Sequence, residues 1–290
     1  MSIGQIFDFG EIEKSEKIIR KMWSEFREAL ASGLFTYKEI EKAKKYTFLK
    51  VYDDLFNQNS GIKHKTIAIK ELDGLSVGRG TILNGNEEPS YERFIPNKEF
   101  IKEDNRFSPA GVEWLYLAIG NEDDIHKCSQ AECRAGKGNR FGFCHFVFDV
   151  GALNLKLVDL SIADDISYKK LNSTLENYGQ TQVKKGIKVA EVLGFIPKNN
   201  VKTEEFKQIF TEWSVYTYTK LLSEQIFEPL CDIDDKSKMY APFQMMSQYY
   251  MYLGYSGIIY GSTVSRVGRN VVLFDKNIAH PTGTIEDHVL

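Results

Sequence analysis

The apolar positions of the first sixty residues recur at helical spacing, and beyond them the period changes. Ile12, Ile18, Ile19, Met22, Trp23, Phe26 and Leu30 fall on one near-helical stripe, and Ile40, Ala43, Tyr46, Leu49, Val51, Tyr52 and Phe56 form a second after a break at residues 31–34. Asn57-Gln-Asn-Ser-Gly61 is turn chemistry, so the pattern predicts a helical N-terminal extension over residues 1–61. From residue 62 the apolar runs are short. Thr66–Ile69, Leu75–Leu83, Trp114–Ala118 and Cys144–Phe148 read as strands. The lysine-rich stretch 163–203, with Gly179, Gly186, Gly194 and Pro197, holds no sustained period and reads as an insertion around 160–205. Thr203-Glu-Glu opens a helix with acidic residues in its first turn, and the apolar positions from Phe206 to Ile226 carry it to about 228. A further helix over 240–253 runs into Gly254, and Tyr255–Tyr260 and Asn270–Phe274 read as two strands around a polar, glycine-bearing connection. Strands and helices in this irregular order predict an α+β domain over 62–290.

Composition narrows the class. The formal net charge of -3 gives no bulk basic field, so no direct nucleic-acid binding is expected. No run approaches the roughly 20 apolar residues of a membrane span, and the acidic opening MSIGQIFDFGEIEKSEK does not have the form of a signal peptide. Four unevenly spaced cysteines do not form a disulfide framework. The expectation is a cytoplasmic protein without membrane partners.

Three local patterns invite a chemical reading. Residues 126–145 hold His126, Cys128, Cys133, Cys144 and His145, enough ligands for zinc, but only Cys128 and Cys133 form a close knuckle, and buried packing is the preferred reading of the cysteines. Gly136-Lys-Gly138-Asn-Arg-Phe-Gly142 is one residue too long for a dinucleotide fingerprint and reads as a polar turn. Asp232, Asp234 and Asp235 lack the glycine and terminal glutamate of a calcium loop and read as a solvated acidic loop.

Three further segments are bland singly and specific together. They are SVGRGTIL around Arg79, NRFSPAGVEWLYLAIGNEDDIHKCSQAECRA over 105–135, and YSGIIYGSTVSRVGRNVVLF over 255–274. In order and spacing they resemble the RES domain family, named for a recurring arginine, glutamate and serine, over roughly residues 75 to 275. The resemblance implies an ADP-ribosyltransferase-like core that consumes NAD as substrate and needs no metal. It implies Arg79 as the arginine, with Arg93 and Arg106 as the other upstream arginines, Glu132 as the glutamate, Ser262 as the serine and Tyr116 as an aromatic pocket position.

That chemistry asks for these residue types. Cleaving the nicotinamide–ribose bond develops positive charge on the sugar, which a fixed carboxylate such as Glu132 stabilises most in the transition state. A guanidinium, Arg79 helped by Arg106, pairs with phosphate oxygens as a fork. Ser262 bonds near the ribose or carboxamide, and Tyr116 offers a ring to nicotinamide. Hydrolysis, phosphorolysis and ADP-ribosyl transfer share the first step. The resemblance further implies a bacterial toxin or defence protein restrained by a helix-turn-helix antitoxin. Dimerisation, antitoxin contact and target choice all stay open for the N-terminal helices. The competing expectation is a non-catalytic interaction protein that binds zinc through 126–145.

Overall fold

A computed structural model describes residues 12–56, 63–161, 168–184, 203–227, 235–262, 264–265 and 267–290. The turn at Asn57–Gly61, the stretch 185–202, Cys231, Asp232 and Asp234 lie outside the described residues. The order is α1 (Ile12–Ala31), α2 (Ile40–Ala43), α3 (Thr47–Phe56), β1 (Thr66–Ala68), β2 (Ser76–Leu83), β3 (Leu115–Gly120), α4 (Glu122–Glu132), β4 (Arg140–Phe148) and β5 (Lys156–Asp159). There follow α5 (Tyr168–Lys184), α6 (Thr203–Phe227), α7 (Lys236–Tyr252), β6 (Gly257–Gly261), β7 (Arg269–Leu273) and β8 (Ala279–Val289). The chain is thus mixed α and β, as the irregular alternation of patterns predicts. Among the described residues no helix is long and apolar enough to cross a membrane.

The chain divides into two compact units, Met1–His64 with Ile162–Glu224, and Lys65–Ser161 with Gln225–Leu290. The stretch read as an insertion therefore groups with the N-terminal helices. The core of this first unit is aromatic: Trp23, Phe26, Phe35, Phe48, Tyr52 and Tyr218 are all buried. The Phe48 ring lies 5.0 Å from Trp23 and 5.9 Å from Tyr218. His64 stacks on Phe56 at 4.6 Å, and the Tyr52 hydroxyl lies 3.2 Å from its Nδ1. Burial pulls this imidazole down to about 3, so it packs as a neutral ring at ordinary pH.

The second unit is built on one eight-stranded sheet of order β1-β5-β6-β7-β3-β2-β4-β8. All neighbours are antiparallel except β5 and β6. One face carries a core of Val77, Leu117, Ile119, Phe146, Ile259 and Val271, and the other packs Ala118, Phe141 and Phe143 against Ile125 and Cys128 of α4. The pairing of β2 with β3 covers only Ser76↔Gly120, Val77↔Ile119 and Gly78↔Ala118. Beyond this, β2 stays on β4 through Leu83, and β3 stays on β7 back to Leu115. The sheet consequently opens between β3 and β2.

Glycine is needed where the split begins. A Cβ on Gly78 would lie 2.2 Å from the tip of the buried Phe143 ring, and one on Gly80 would lie 2.5 Å from Phe141. The rings of β4 thus lie over bare backbone, which is a common reason for glycine inside a strand. Asp235, from the acidic loop, caps α7 by accepting from the backbone amides of Ser237 and Lys238. We expect Gly78→Ala to lower stability by about 2 kcal/mol through overpacking, whereas Gly136→Ala, whose Cβ meets nothing nearer than 3.9 Å, stays within about 0.5 kcal/mol. Urea unfolding followed by tryptophan fluorescence measures both, and equal midpoints would contradict the packing described.

Candidate functional site

The opening between β2 and β3 is a cavity of about 240 Å³ lined by, among others, Arg79, Trp114, Tyr116, Glu132, Tyr260 and Asn270. Residues from four strands and one helix meet there. Glu132 is the last residue of α4, whose N-cap Asn121 accepts from the Asp124 amide at 2.9 Å. Arg134, at φ 53, is the sole non-glycine residue with positive φ among those described. This left-handed residue ends the helix and leaves Glu132 at its carboxyl end.

A carboxylate at a helix C-terminus faces the negative end of the dipole and needs donors to hold it. Two are supplied. The Ser262 hydroxyl donates to Glu132 Oε1 at 2.9 Å, and Asn270 Nδ2 donates to the same oxygen at 2.5 Å. Ser262 Oγ in turn accepts from the amides of Val264 and Ser265 at 3.3 and 3.0 Å, which fixes its proton toward Glu132. The Asn270 amide is oriented from behind, because the Cys128 thiol donates to its Oδ1 at 3.3 Å. Burial pushes that thiol up to about 11, keeping it a donor. Among the described residues Glu132 Oε2 has no hydrogen-bond partner, so it is left to the cavity.

Arg79 borders the cavity from β2. Its Nη1 is buried without a hydrogen-bond partner, and among the described residues no carboxylate pairs with it. Burial holds the guanidinium below its ordinary value, with Arg93 adding to this and Cys133 and Tyr116 opposing it. An arginine nevertheless stays charged, so a buried cation faces this space without a counter-ion. The other two upstream arginines are engaged elsewhere. Arg93 pairs with Glu87 at 3.0 Å, and Arg106 lies over the Tyr240 and Phe243 rings at 5.3 and 5.7 Å and does not line the cavity. Tyr116 lies across the split from Arg79, with its hydroxyl 2.9 Å from Ser108 Oγ. Burial raises its phenol well above the ordinary value, as it does that of Tyr260.

Of the residues singled out from the sequence, Arg79, Tyr116 and Glu132 line one cavity, and Ser262 anchors Glu132. Asn270 and Tyr260 were not singled out, although an asparagine inside the strand run Asn270–Phe274 is itself a signal, since strands are poor in it. The three described cysteines do not gather on a metal. Cys128 bonds to Asn270, Cys133 donates to the Gly80 carbonyl at 3.0 Å, and Cys144 lies against β8 with its Sγ 3.9 Å from the Thr282 carbonyl oxygen. Comparisons with protein-family models, with curated proteins and with solved structures find no match to this chain.

If Asn270 holds Glu132 as described, Asn270→Ala and Glu132→Ala are coupled. A double-mutant cycle in urea should return a coupling of about 1.5–3 kcal/mol, the range of a hydrogen bond to a charged group. Additive effects would show that the two side chains do not interact.

Proposed function

We propose that this protein is a cytoplasmic NAD-consuming enzyme with an ADP-ribosyltransferase-like core, which cleaves the bond between nicotinamide and ribose. The observation that carries the proposal is the meeting in one cavity of Arg79, whose Nη1 is buried without a partner, and an anchored Glu132, two residues taken from distant segments of one family pattern. A cation without a partner asks for an anionic ligand, and the fork of a guanidinium suits a diphosphate. A carboxylate fixed by two donors at one oxygen, with the other facing the cavity, suits a cationic transition state. At about 240 Å³ the space is smaller than the roughly 300–1,000 Å³ of pockets that enclose a drug-sized ligand, so one end of a dinucleotide would enter and the rest lie outside.

In the proposed step the C1′–N bond breaks and its electron pair goes to the nicotinamide nitrogen, which becomes neutral as the ribose takes up the positive charge. Glu132 stabilises that charge and holds a ribose hydroxyl through Oε2. Tyr116 packs against the departing ring, and Arg79 binds the phosphates. An acceptor then adds to C1′ and loses its proton. Water, phosphate or a nucleophile on a target gives hydrolysis, phosphorolysis or ADP-ribosyl transfer. In this setting the protein acts as a bacterial toxin or defence protein held in check by a helix-turn-helix antitoxin.

Nicotinamide release from NAD tests the reading. Glu132→Gln should lower kcat by about a hundredfold or more with the fold intact. If purified protein free of any antitoxin releases no nicotinamide and transfers no label from NAD, the proposal fails. Arg79→Lys keeps the charge and loses the fork, and we expect KM for NAD to rise about tenfold with a smaller change in kcat. An unchanged KM would remove Arg79 from phosphate binding.

A further inference from the structure

A second cluster stands at the other end of α4, apart from the cavity. Glu122 and His126 lie one turn apart on that helix, His145 is on β4 and Glu286 on β8. His126 Nε2 lies 3.4 Å from Glu122 Oε1 and 3.5 Å from Glu286 Oε1, and His145 Nε2 lies 3.1 and 3.7 Å from the same two oxygens. Glu122, His126 and His145 bring ligand atoms within 4.8 Å of one another. We infer that these four side chains form a zinc site, which ties α4 to β4 and β8.

The distances favour a shared cation over separate ion pairs. Charge-assisted N–H···O bonds are about 2.7–2.9 Å long, and all four separations exceed that. Ligands placed at about 2.0–2.1 Å from a tetrahedral zinc are about 3.3–3.4 Å from one another, and the four values fall on both sides of this edge length. Each Nε2 approaches both carboxylates, although a single imidazole N–H serves only one partner well. Two imidazoles and two carboxylates are also a donor set suited to zinc.

The fold brings the ligands together by particular means. Phe143 pairs with Glu286 and His145 with Thr282, so β4 has only Cys144 between the paired positions where β8 has Gly283, Thr284 and Ile285. Continued regular pairing from Thr282 would set Glu286 opposite Phe141. The bulge, with Gly283 at φ 71, moves it one pleat toward His145, and re-aiming a side chain is a common use of a bulge. Both imidazoles rest on the same fully buried ring. His126 stacks on Phe143 at 3.8 Å, and His145 meets it edge-on at 5.1 Å. Ten residues separate Glu122 from Glu132, or about 15 Å of helix, so the ion is structural and takes no part in the proposed reaction.

Chelator-treated full-length protein is titrated with Co²⁺ and then Zn²⁺. We expect one equivalent of Co²⁺ to give the intense visible absorption of tetrahedral coordination and Zn²⁺ to displace it. At about a hundredfold excess over Kd, zinc should raise the unfolding midpoint by about 5 °C. Glu286→Gln, a change at a half-exposed position, should weaken binding by about tenfold or more, and His126→Asn with His145→Asn by about a hundredfold or more. Because His126 packs on Phe143, the double variant is judged only with unchanged far-UV circular dichroism; Glu286→Gln carries the test otherwise. Absence of the cobalt band and of any zinc-induced shift in the parent protein overturns the proposal. So does binding unaffected by Glu286→Gln, which would place the ion on other ligands such as the cysteine thiols.

Discussion

The early parting of β2 from β3 is the constraint on which the candidate site depends. A continuous sheet would pair these strands along their length and leave no room for a ligand. Parting them exposes backbone groups inside the protein, and buried carbonyls left without partners are costly. Side chains take up the loss on the β2 edge. The Cys133 thiol donates to the Gly80 carbonyl and Arg93 Nη2 donates to the Ile82 carbonyl at 3.2 Å. Cys133 therefore has a structural task. Burial pushes its thiol up to about 11, which keeps the proton that this bond requires.

Within that opening the charges are arranged so that neither cancels the other. Glu132 gives one oxygen to two neutral donors, and Arg79 has no carboxylate partner among the described residues. A direct ion pair between them would satisfy both and leave the cavity without electrostatic preference. A buried cation without a partner costs stability, so its persistence beside a fixed carboxylate is a mark of a site prepared for a ligand with charges of both signs.

The sequence carries the elements more clearly than their assembly. The strands 66–69, 75–83, 114–118, 144–148, 255–260 and 270–274 each have a counterpart because their apolar runs are short and bounded by turn residues. Helix α4 shows little apolar period, since its buried face consists of Ile125, Cys128 and Ser129 beneath a charged first turn, and it reads as a polar stretch. Strand β8 is hidden by Pro281 and Gly283, which an edge strand with a bulge accommodates and a central strand does not. Arg79, Tyr116, Glu132 and Ser262 were named through a pattern spread over three segments. Their meeting depends on the split between β2 and β3, which is a long-range event without a local signature. Asn270 is missed for a related reason, since its partners, Cys128 and Glu132, are more than a hundred residues away.

Helix α4 connects these observations. Its N-terminal half faces β4 and β8 through Glu122 and His126, its middle is held where Gly268, at φ +79, comes close enough that a Cβ would lie 3.1 Å from Cys128, and its last residue is anchored by Ser262 and Asn270. Gly78 leaves room for the tip of the Phe143 ring against β2, and Phe143 in turn supports both imidazoles at the far end of the same helix. A carboxylate acts on developing charge only if it does not have to reorganise as that charge appears. Fixing the helix along its length meets that requirement more firmly than the two hydrogen bonds at Glu132 alone, because a tilt of α4 would carry Glu132 away from donors on β7 and just beyond β6. The packing of β4 against glycine and the placement of a single carboxylate are therefore parts of one mechanical arrangement.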